Sequence, residues 1–343
     1  MKNSLRAHNT LRLQSSCESL DSFDSVERLQ QCLQWSQRFS AEALVLGYGS
    51  NVVLPAFYPG MVLFNRIMGT EVISETDDHV HVVVGAGENW HAFVEQCMHQ
   101  QWYGLENLAS IPGSVGAAPV QNIGAYGVDV SQWLIQCEVF CRETRQCYHL
   151  SAVECGFGYR SSIFKQAKKG KLVILRVHFL LNKRPQLQLT YPSLIRYVAE
   201  NRLPQTPLSI FNAVVAIRGM RLPRVEQIGN AGSFFVNPII SQVQFDELIA
   251  RFSCAFDHYV LPDKRVKLFA GQLLKLLGWQ TVRRNGFSLY SKNALILTHD
   301  GEGSQSECLQ FAKNLQDSVR GVFGVSLTIE PEVITGITEP VSC

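Results

Sequence analysis

The sequence lacks long apolar runs and lacks an excess of charge of either sign. No segment approaches the roughly 18 consecutive apolar residues of a membrane-spanning helix, so we expect no membrane span. Charged residues make up only 17% of the 343 residues, which excludes a disordered chain. The 31 lysines and arginines nearly balance the 29 aspartates and glutamates, and no basic run occurs. This balance gives no reason to expect a nucleic-acid partner.

A signal-peptide core and a dense cysteine framework are also missing. The first residues, MKNSLRAHNTLRLQSS, contain no apolar core, and the ten cysteines are spread along the chain. We therefore expect free thiols in a reducing cytoplasm. The densest group is Cys137, Cys141, Cys147 and Cys155, in a stretch predicted to form two strands around a polar turn. These spacings are not those of a zinc pair, so we expect no metal site.

Two common nucleotide-binding signatures are absent, but two glycine-rich segments are present. LGYGSN (46–51) follows an apolar strand, and its glycines leave backbone N–H groups accessible to a pyrophosphate, although a plain turn is the alternative. Neither the Walker lysine nor a third Rossmann glycine follows it. The second segment, SIPGSVGAAPVQNIGAYG (110–127), is almost uncharged. It either lies against a large, partly apolar cofactor or is a structured loop packed on a sheet.

The order of predicted elements indicates an α+β protein. Strand-like runs such as HVHVVVGAG and KLVILRVHFLL dominate the first part, whereas helical spacing dominates beyond Asn182. The first predicted helix starts near Asp24, which lies three residues before Glu27 in the manner of a capping box. The last predicted element is one strand, VSLTIEPEVI. We place the boundary between the β-rich and the more helical part near residues 215–225.

Five motifs in order carry a resemblance to a known family. LGYGSN, IPGSVGAAPVQNIGAYG, FGYRSSIFK, GNAGSFFVNP and EPEV resemble those of the UDP-N-acetylenolpyruvoylglucosamine reductase (MurB) family, over nearly the whole chain. LTYPSL (189–194) resembles the branch with a substrate-capping tyrosine loop. The resemblance implies a two-part FAD-binding region of the vanillyl-alcohol-oxidase-like fold over 1–218. A smaller α+β substrate domain over 219–325 and a C-terminal strand and tail over 326–343 would follow.

The resemblance also implies an activity. It is the NADPH-dependent, FAD-mediated reduction of UDP-N-acetylglucosamine enolpyruvate to UDP-N-acetylmuramate in peptidoglycan biosynthesis, carried out by a bacterial cytoplasmic enzyme that we expect to be a monomer. We expect non-covalent FAD, because neither glycine-rich segment contains histidine or cysteine. Two alternatives are another FAD-dependent sugar or lactone oxidase of the same fold and a non-catalytic UDP-sugar-binding homologue. NADPH oxidation that requires the enolpyruvyl substrate would separate them.

Three residues match the catalytic positions of the family. Arg160 would face the substrate carboxylate, where a cationic donor stabilises developing negative charge. Ser233 would donate a proton to carbon, and Glu332 would act as the catalytic acid. Glu330 competes with Glu332 for this role, because two residues that are two apart on a strand point to the same face.

The resemblance assigns further residues to the cofactor and the substrate. Tyr191 would close over the nucleotide diphosphate, and Asn237 would lie near the substrate. Arg218 and Arg221 would share one face of a predicted helix, a spacing suited to phosphates. The chain departs from the family at Val236, where lysine is common, and at Ile334, where arginine is common. The remaining residues implied for FAD, besides Arg218, are Gly47, Tyr48, Gly49, Ser50, Asn51, Pro112, Gly113, Ser114, Val115, Gly116, Gln121, Asn122, Ile123 and Gly124.

Overall fold

The computed structural model describes residues 3–336, which divide into two interleaved compact units. The first, here called the central unit, comprises residues 17–48 and 59–220. The second, here called the terminal unit, comprises the described residues up to 16 together with 49–58 and 221–336. The division of function over 1–218, 219–325 and 326–343 stays a prediction. Within residues 3–336, every helix is too short or too polar to span a bilayer.

Four helices belong to the central unit: α1 (Val26–Ser36), α2 (Trp90–His99), α3 (Pro192–Glu200) and α4 (Pro207–Arg221), whose last residue is counted with the terminal unit. Helix α1 begins after Ser25, not after the predicted Asp24. Ser25 has an extended backbone, and its hydroxyl accepts a hydrogen bond from the amide of Arg28. An extended residue with this bond is the helix cap, so Asp24 lies one residue outside.

A five-stranded antiparallel sheet forms the core of the central unit. The predicted pair of strands around a polar turn is confirmed at its edge by Leu134–Cys141 and Cys147–Ser151. One face of the sheet packs on α2, where the rings of Phe93 and Phe179 lie 5.2 Å apart. In spatial order the strands are Cys147–Ser151, Leu134–Cys141, Leu172–Asn182, His79–Gly85 and Thr70–Glu75.

A second sheet and several short elements complete the central unit. Helix α1 packs on the strand Phe57–Asn65, which runs parallel to Leu44–Leu46. The other strands and short 3-10 helices are Ser16–Phe23, Gly124–Ala125, Val128–Asp129, Glu106–Leu108, Val115–Ala117 and Val130–Gln132. The strand Ser16–Phe23 and the start of Phe57–Asn65 cross the limit between the two units.

The terminal unit contains three helices, α5 (Gln242–Arg251), α6 (Ala270–Leu276) and α7 (Gln305–Phe323). Helix α7 begins with a capping box of Ser304 and Glu307 and ends at Gly324, whose φ of 70° closes the last turn. The remaining elements are Asn3–Ser4, Arg6–His8, Val52–Val53, Gly229–Ser233, Phe235–Val236, Ile239–Ile240, His258–Val260, Val266–Leu268, Trp279–Thr281, Arg283–Arg284, Phe287–Tyr290, Asn293–His299, Thr328–Ile329 and Glu332–Val333. Helices and sheets are thus present in both units, which confirms the predicted α+β class.

The predicted last strand is wrong as a single element. Thr328–Ile329 pairs antiparallel with Phe235–Val236, whereas Glu332–Val333 pairs parallel with Val52–Val53. Pro331 separates the two short strands, and proline has no amide hydrogen to continue a ladder. Glu330 and Glu332 therefore do not share the face of one strand. Glu330 is buried, whereas Glu332 is half-buried.

Candidate functional site

The uncharged tract 110–127 of the central unit packs on the end of a sheet strand. The amides of Val115 and Gly116 donate hydrogen bonds of 2.9 Å each to the carbonyls of Glu88 and Ala86. A methyl group on Gly116 would lie 2.5 Å from Cβ of Ala86, so glycine is required by close approach of the backbones. The packed-loop interpretation describes this part of the tract, and its contact with a cofactor stays a prediction.

The two glycine-rich segments meet within the central unit. A methyl group on Gly47 would lie 2.8 Å from Oγ of Ser114 and 3.7 Å from Cβ of Ala117. Ser114 is buried, whereas the neighbouring Tyr48 is exposed. The turn that follows the strand Leu44–Leu46 is therefore held against the start of the second segment.

Gly49, in the terminal unit, has a buried backbone in the left-handed region. Its φ is 62°, and a methyl group would lie 2.0 Å from the carbonyl oxygen of His8. The Gly49 carbonyl accepts a 3.0 Å hydrogen bond from the amide of Thr10. Within residues 3–336 the Gly49 amide itself donates to no partner. A buried N–H group in a glycine turn suits an anionic oxygen, so this turn fits the pyrophosphate of a dinucleotide cofactor.

The end of the tract is tied to the loop that carries Arg160. Asn122 is buried, and its amide nitrogen donates to the carbonyl of Gly158 at 3.2 Å. Arg160 donates from Nη2 to the carbonyl of Gly124 at 2.6 Å. Both Asn122 and Arg160 have positive φ, of 48° and 54°. Such strained residues cluster at functional sites, and their pairing here supports a binding role for this loop.

Arg218, Arg160 and Tyr126 interact electrostatically in the central unit. Arg218 donates from Nε to the carbonyl of Ser110 at 3.2 Å. Burial lowers the pKa of the Arg218 guanidinium, the nearby Tyr126 raises it, and the charge of Arg160 lowers it. Because the two guanidinium groups repel each other, an anionic ligand bound near both would be stabilised. Arg221, three residues further along α4, is exposed.

Tyr126 is a residue that the sequence analysis did not single out. It has a φ of 49°, and its ring meets the ring of Tyr191 edge to face, with centroids 5.5 Å apart. Asn107 fixes both segments, since its amide nitrogen donates to the carbonyls of Tyr126 at 3.0 Å and Gln188 at 2.8 Å. The predicted capping loop is therefore anchored on the glycine-rich tract. The sequence NIGAYG contains no signal that would reveal this partner.

Ser233, in the terminal unit, lies at a bulge in a sheet. Asn230 pairs with Thr298 and Ser233 with Ile296, so the first strand has one extra residue. Gly232 provides the left-handed conformation of this bulge, with a φ of 70°. Bulges re-aim side chains and are frequent near active sites. The glycine beside Ser233 is thus explained by backbone geometry.

The two residues that follow Ser233 have the most buried side chains of this motif. The side chains of Phe234 and Phe235 are fully buried, and their rings meet edge to face at 5.4 Å. The Phe234 carbonyl accepts a 3.0 Å hydrogen bond from the amide of Glu330. Ser233 itself is half-buried. A half-buried hydroxyl on a backbone fixed by two core aromatics is suited to a directed proton transfer.

Glu332 and Asn237, also in the terminal unit, are held by different elements. The amide of Glu332 donates to the carbonyl of Asn51 at 2.9 Å, which ties it to the LGYGSN turn. Asn237 accepts at Oδ1 a 3.0 Å hydrogen bond from the amide of Ala270, the first residue of α6. Asn237 therefore has a structural function at the start of that helix, and its contact with substrate stays a prediction.

Family models match two long segments of this chain. Residues 21–145 match a model described as an FAD binding domain. Residues 223–334 match the C-terminal domain of UDP-N-acetylenolpyruvoylglucosamine reductase. The two matches together include the glycine-rich segments, Ser233 and Glu332.

Curated proteins and a solved structure agree with these matches. The chain is 38% identical to a protein of Burkholderia multivorans over 95% of this chain and 94% of that protein. It is 39% identical to a protein of Ralstonia nicotianae over 96% of this chain and 97% of that protein. Both are named UDP-N-acetylenolpyruvoylglucosamine reductase. The crystal structure of the reductase from Thermus caldophilus has the same fold, with a TM-score of 0.68, 21% identity and coverage of 97% of this chain and 98% of that one.

Proposed function

The chain belongs to the family of UDP-N-acetylenolpyruvoylglucosamine reductases, and we propose how its own residues carry out the family reaction. The protein is an FAD-dependent oxidoreductase that uses NADPH to reduce UDP-N-acetylglucosamine enolpyruvate to UDP-N-acetylmuramate for peptidoglycan synthesis. Membership of this family favours the reductase over the oxidase and the non-catalytic binder. We further propose that it acts as a monomer in the cytoplasm, with FAD bound non-covalently.

Bound FAD would supply the hydride-transfer chemistry between NADPH and the methylene carbon of the enolpyruvyl group. The glycine turn would hold its pyrophosphate, since Gly49 is buried and its amide has no protein partner among residues 3–336. The packed tract around Ser114 and Gly116, the turn at Asn122 and the guanidinium of Arg218 complete the set of residues that hold the cofactor.

Arg160 is proposed to bind the carboxylate of the enolpyruvyl group. Hydride addition to the methylene carbon leaves negative charge on the adjacent carbon and on this carboxylate. A guanidinium binds a carboxylate through two parallel hydrogen bonds, and its charge stabilises this electron-rich state. The positive φ of Arg160 and the hydrogen bond from its Nη2 to the Gly124 carbonyl support the role, because they fix the backbone and the guanidinium end of the side chain. Loss of such a donor typically costs about 10²–10³ in rate.

Ser233 is proposed to give its proton to the carbon next to the carboxylate. A serine hydroxyl is a weak acid, but an enolate-like carbon is a strong base, so the transfer is feasible when the hydroxyl is held on target. The bulge at Gly232 is the single observation that carries this assignment, because it explains why the backbone is fixed at this residue.

Glu332 is proposed to act as an acid toward the same carboxylate. A protonated carboxyl group that donates a hydrogen bond there draws electrons from the double bond and favours hydride addition. Glu330 is buried and lies between two short strands, which favours Glu332 for this role. Tyr191, Arg221 and Asn237 are proposed to bind the UDP-sugar, Tyr191 by closing over the diphosphate.

The experiment that tests the proposed function measures NADPH oxidation with and without UDP-N-acetylglucosamine enolpyruvate under anaerobic conditions. We expect oxidation at a catalytic rate only with the substrate, and formation of UDP-N-acetylmuramate in equal amount. Arg160→Lys, which keeps the charge but loses the planar fork, should lower kcat at least tenfold. Unchanged kcat in Arg160→Lys would contradict its role.

A further inference from the structure

Three strands of the central sheet bring two histidines and a glutamate together on one face. Glu138 lies opposite His149 across the edge pair of strands. His178 lies on the next strand, two residues from the partner of Glu138, and therefore on the same face. One potential ligand atom from each of these three residues lies within 4.8 Å of the others.

The neighbouring His81 contacts the imidazole of His178 and leaves one of its nitrogens available to a metal ion. Nδ1 of His178 and Nε2 of His81 are 3.1 Å apart, which is a hydrogen bond between the two rings. The other nitrogen of His178, Nε2, is buried and has no hydrogen-bond partner among residues 3–336. When Nδ1–H of His178 donates to His81, Nε2 keeps a bare lone pair that can bind a metal ion. A ligand histidine in metalloproteins usually donates its second N–H to a neighbour in this way.

We propose that Glu138, His149 and His178 form a binding site for a borderline divalent cation, with Zn²⁺ as the best-matched ion. Two imidazoles and one carboxylate are ligands that zinc commonly takes, at distances of about 2.0–2.2 Å. His149 is exposed, so the ion would order its side chain against the other two ligands. The expectation of no metal site rested on cysteine spacing, and no cysteine belongs to this set.

The site would connect three neighbouring strands at the open edge of the sheet. His149 lies on the edge strand Cys147–Ser151, Glu138 on the second strand and His178 on the third. The ion would therefore fasten an edge strand to the interior of the sheet and raise the stability of the folded protein by mass action. The ion would stabilise the sheet and would have no part in the reductase reaction.

The test is calorimetric titration of the FAD-containing protein with ZnCl₂ in a buffer without chelator. Cys147 is exposed and lies two residues from His149, so all proteins carry Cys147→Ser to remove a competing thiol. We expect one tight site in this background. His178→Gln, His149→Gln and Glu138→Gln should each weaken it at least tenfold, and His81→Gln by about 10–100-fold. The matched control is His79→Gln, an exposed histidine on the same strand as His81, which should bind as tightly as the parent.

Thermal unfolding provides a second readout that does not depend on activity. ZnCl₂ should raise the Tm of the parent and of His79→Gln but not of His178→Gln, and each variant should retain its bound flavin in proof of folding. A parent protein without a tight site would overturn the proposal. Equal loss of affinity in His79→Gln and His178→Gln would also overturn it, because zinc would then be bound by surface histidines in general.

Discussion

A single methyl group at Gly116 should destabilise the protein, because it would be too close to Ala86. An added Cβ would lie 2.5 Å from Cβ, 3.0 Å from O and 3.1 Å from Cα of Ala86. Carbon atoms prefer separations of about 3.5–4.0 Å, so the tract would have to move by about 1 Å. The movement also stretches the 2.9 Å hydrogen bond from the Gly116 amide to the Ala86 carbonyl.

These two effects set the expected magnitude for Gly116→Ala. Overpacking typically costs about 1–3 kcal/mol, and one weakened hydrogen bond about 0.5–1.5 kcal/mol. The tract relieves the overpacking by moving away from Ala86, and the same movement stretches the hydrogen bond. The two costs are therefore not additive. We expect a fall of about 2–3 kcal/mol in the free energy of unfolding. The affinity for FAD should fall as well, since the same tract is proposed to hold the cofactor.

The assay is urea unfolding followed by far-UV circular dichroism at saturating FAD, with flavin affinity measured separately by fluorescence quenching. Gly219→Ala is the matched control, because Gly219 lies within α4 and an added methyl group there meets no atom within 4 Å. This control should be neutral or more stable by up to about 1 kcal/mol. Unfolding of Gly116→Ala within about 0.5 kcal/mol of the wild type would refute the packing argument, since that is the range of an ordinary surface substitution.

Three further predictions concern the substrate, the cofactor and pH. Tyr191→Phe should weaken UDP-sugar binding by about 0.5–1.5 kcal/mol and leave bound flavin unchanged, and an unaltered Kd by flavin-absorbance titration would count against the capping role. Acid precipitation should release all the yellow colour to the supernatant, whereas colour in the pellet would mean covalent FAD. Burial lowers the pKa of His299, whose Nδ1 donates to the Leu11 carbonyl at 2.9 Å and whose Nε2 accepts from the Gly303 amide at 2.6 Å. Because the folded state favours neutral His299, stability should decrease as the pH falls below the unfolded-state value of about 6.5, by at most about 1.4 kcal/mol per pH unit. His299→Gln should remove this part of the slope in urea unfolding between about pH 7.5 and pH 5, and an unchanged slope would contradict the assignment.

The elements with strong periodic patterns could be predicted from the sequence. The helix predicted to start near Asp24 and the hairpin flanked by Cys141 and Cys147 follow from a capping pattern and a polar turn, and both are present. The end of the chain could not be predicted in this way. The sequence pattern predicts a single strand over Thr328–Ile329 and Glu332–Val333, but Pro331 interrupts it. The two short strands pair with different partners, and those partners are far away in sequence.

The candidate site shows the same limit. Motif order identified the glycine turn and the segment around Ser233, because these depend on local residue types. The role of Asn237 at the start of α6 and the packing of Tyr126 on Tyr191 depend on segments more than 30 residues apart. The metal cluster is of this kind too, since Glu138 and His178 meet only through strand register. Long-range pairing of this sort leaves no local pattern in a single sequence.

Stopped-flow absorbance of Ser233→Ala tests the central claim most directly, because it separates the two halves of the reaction. NADPH should reduce the bound FAD of this variant at nearly the wild-type rate, since Ser233 has no part in that half. Reoxidation by UDP-N-acetylglucosamine enolpyruvate should be slower by at least about 10²-fold, the lower end for a lost general acid. Ser233→Cys should recover part of the rate, because a thiol can also donate a proton. Slower reduction by NADPH, or no change in either half, would contradict the account and leave Ser233 as part of a structural bulge.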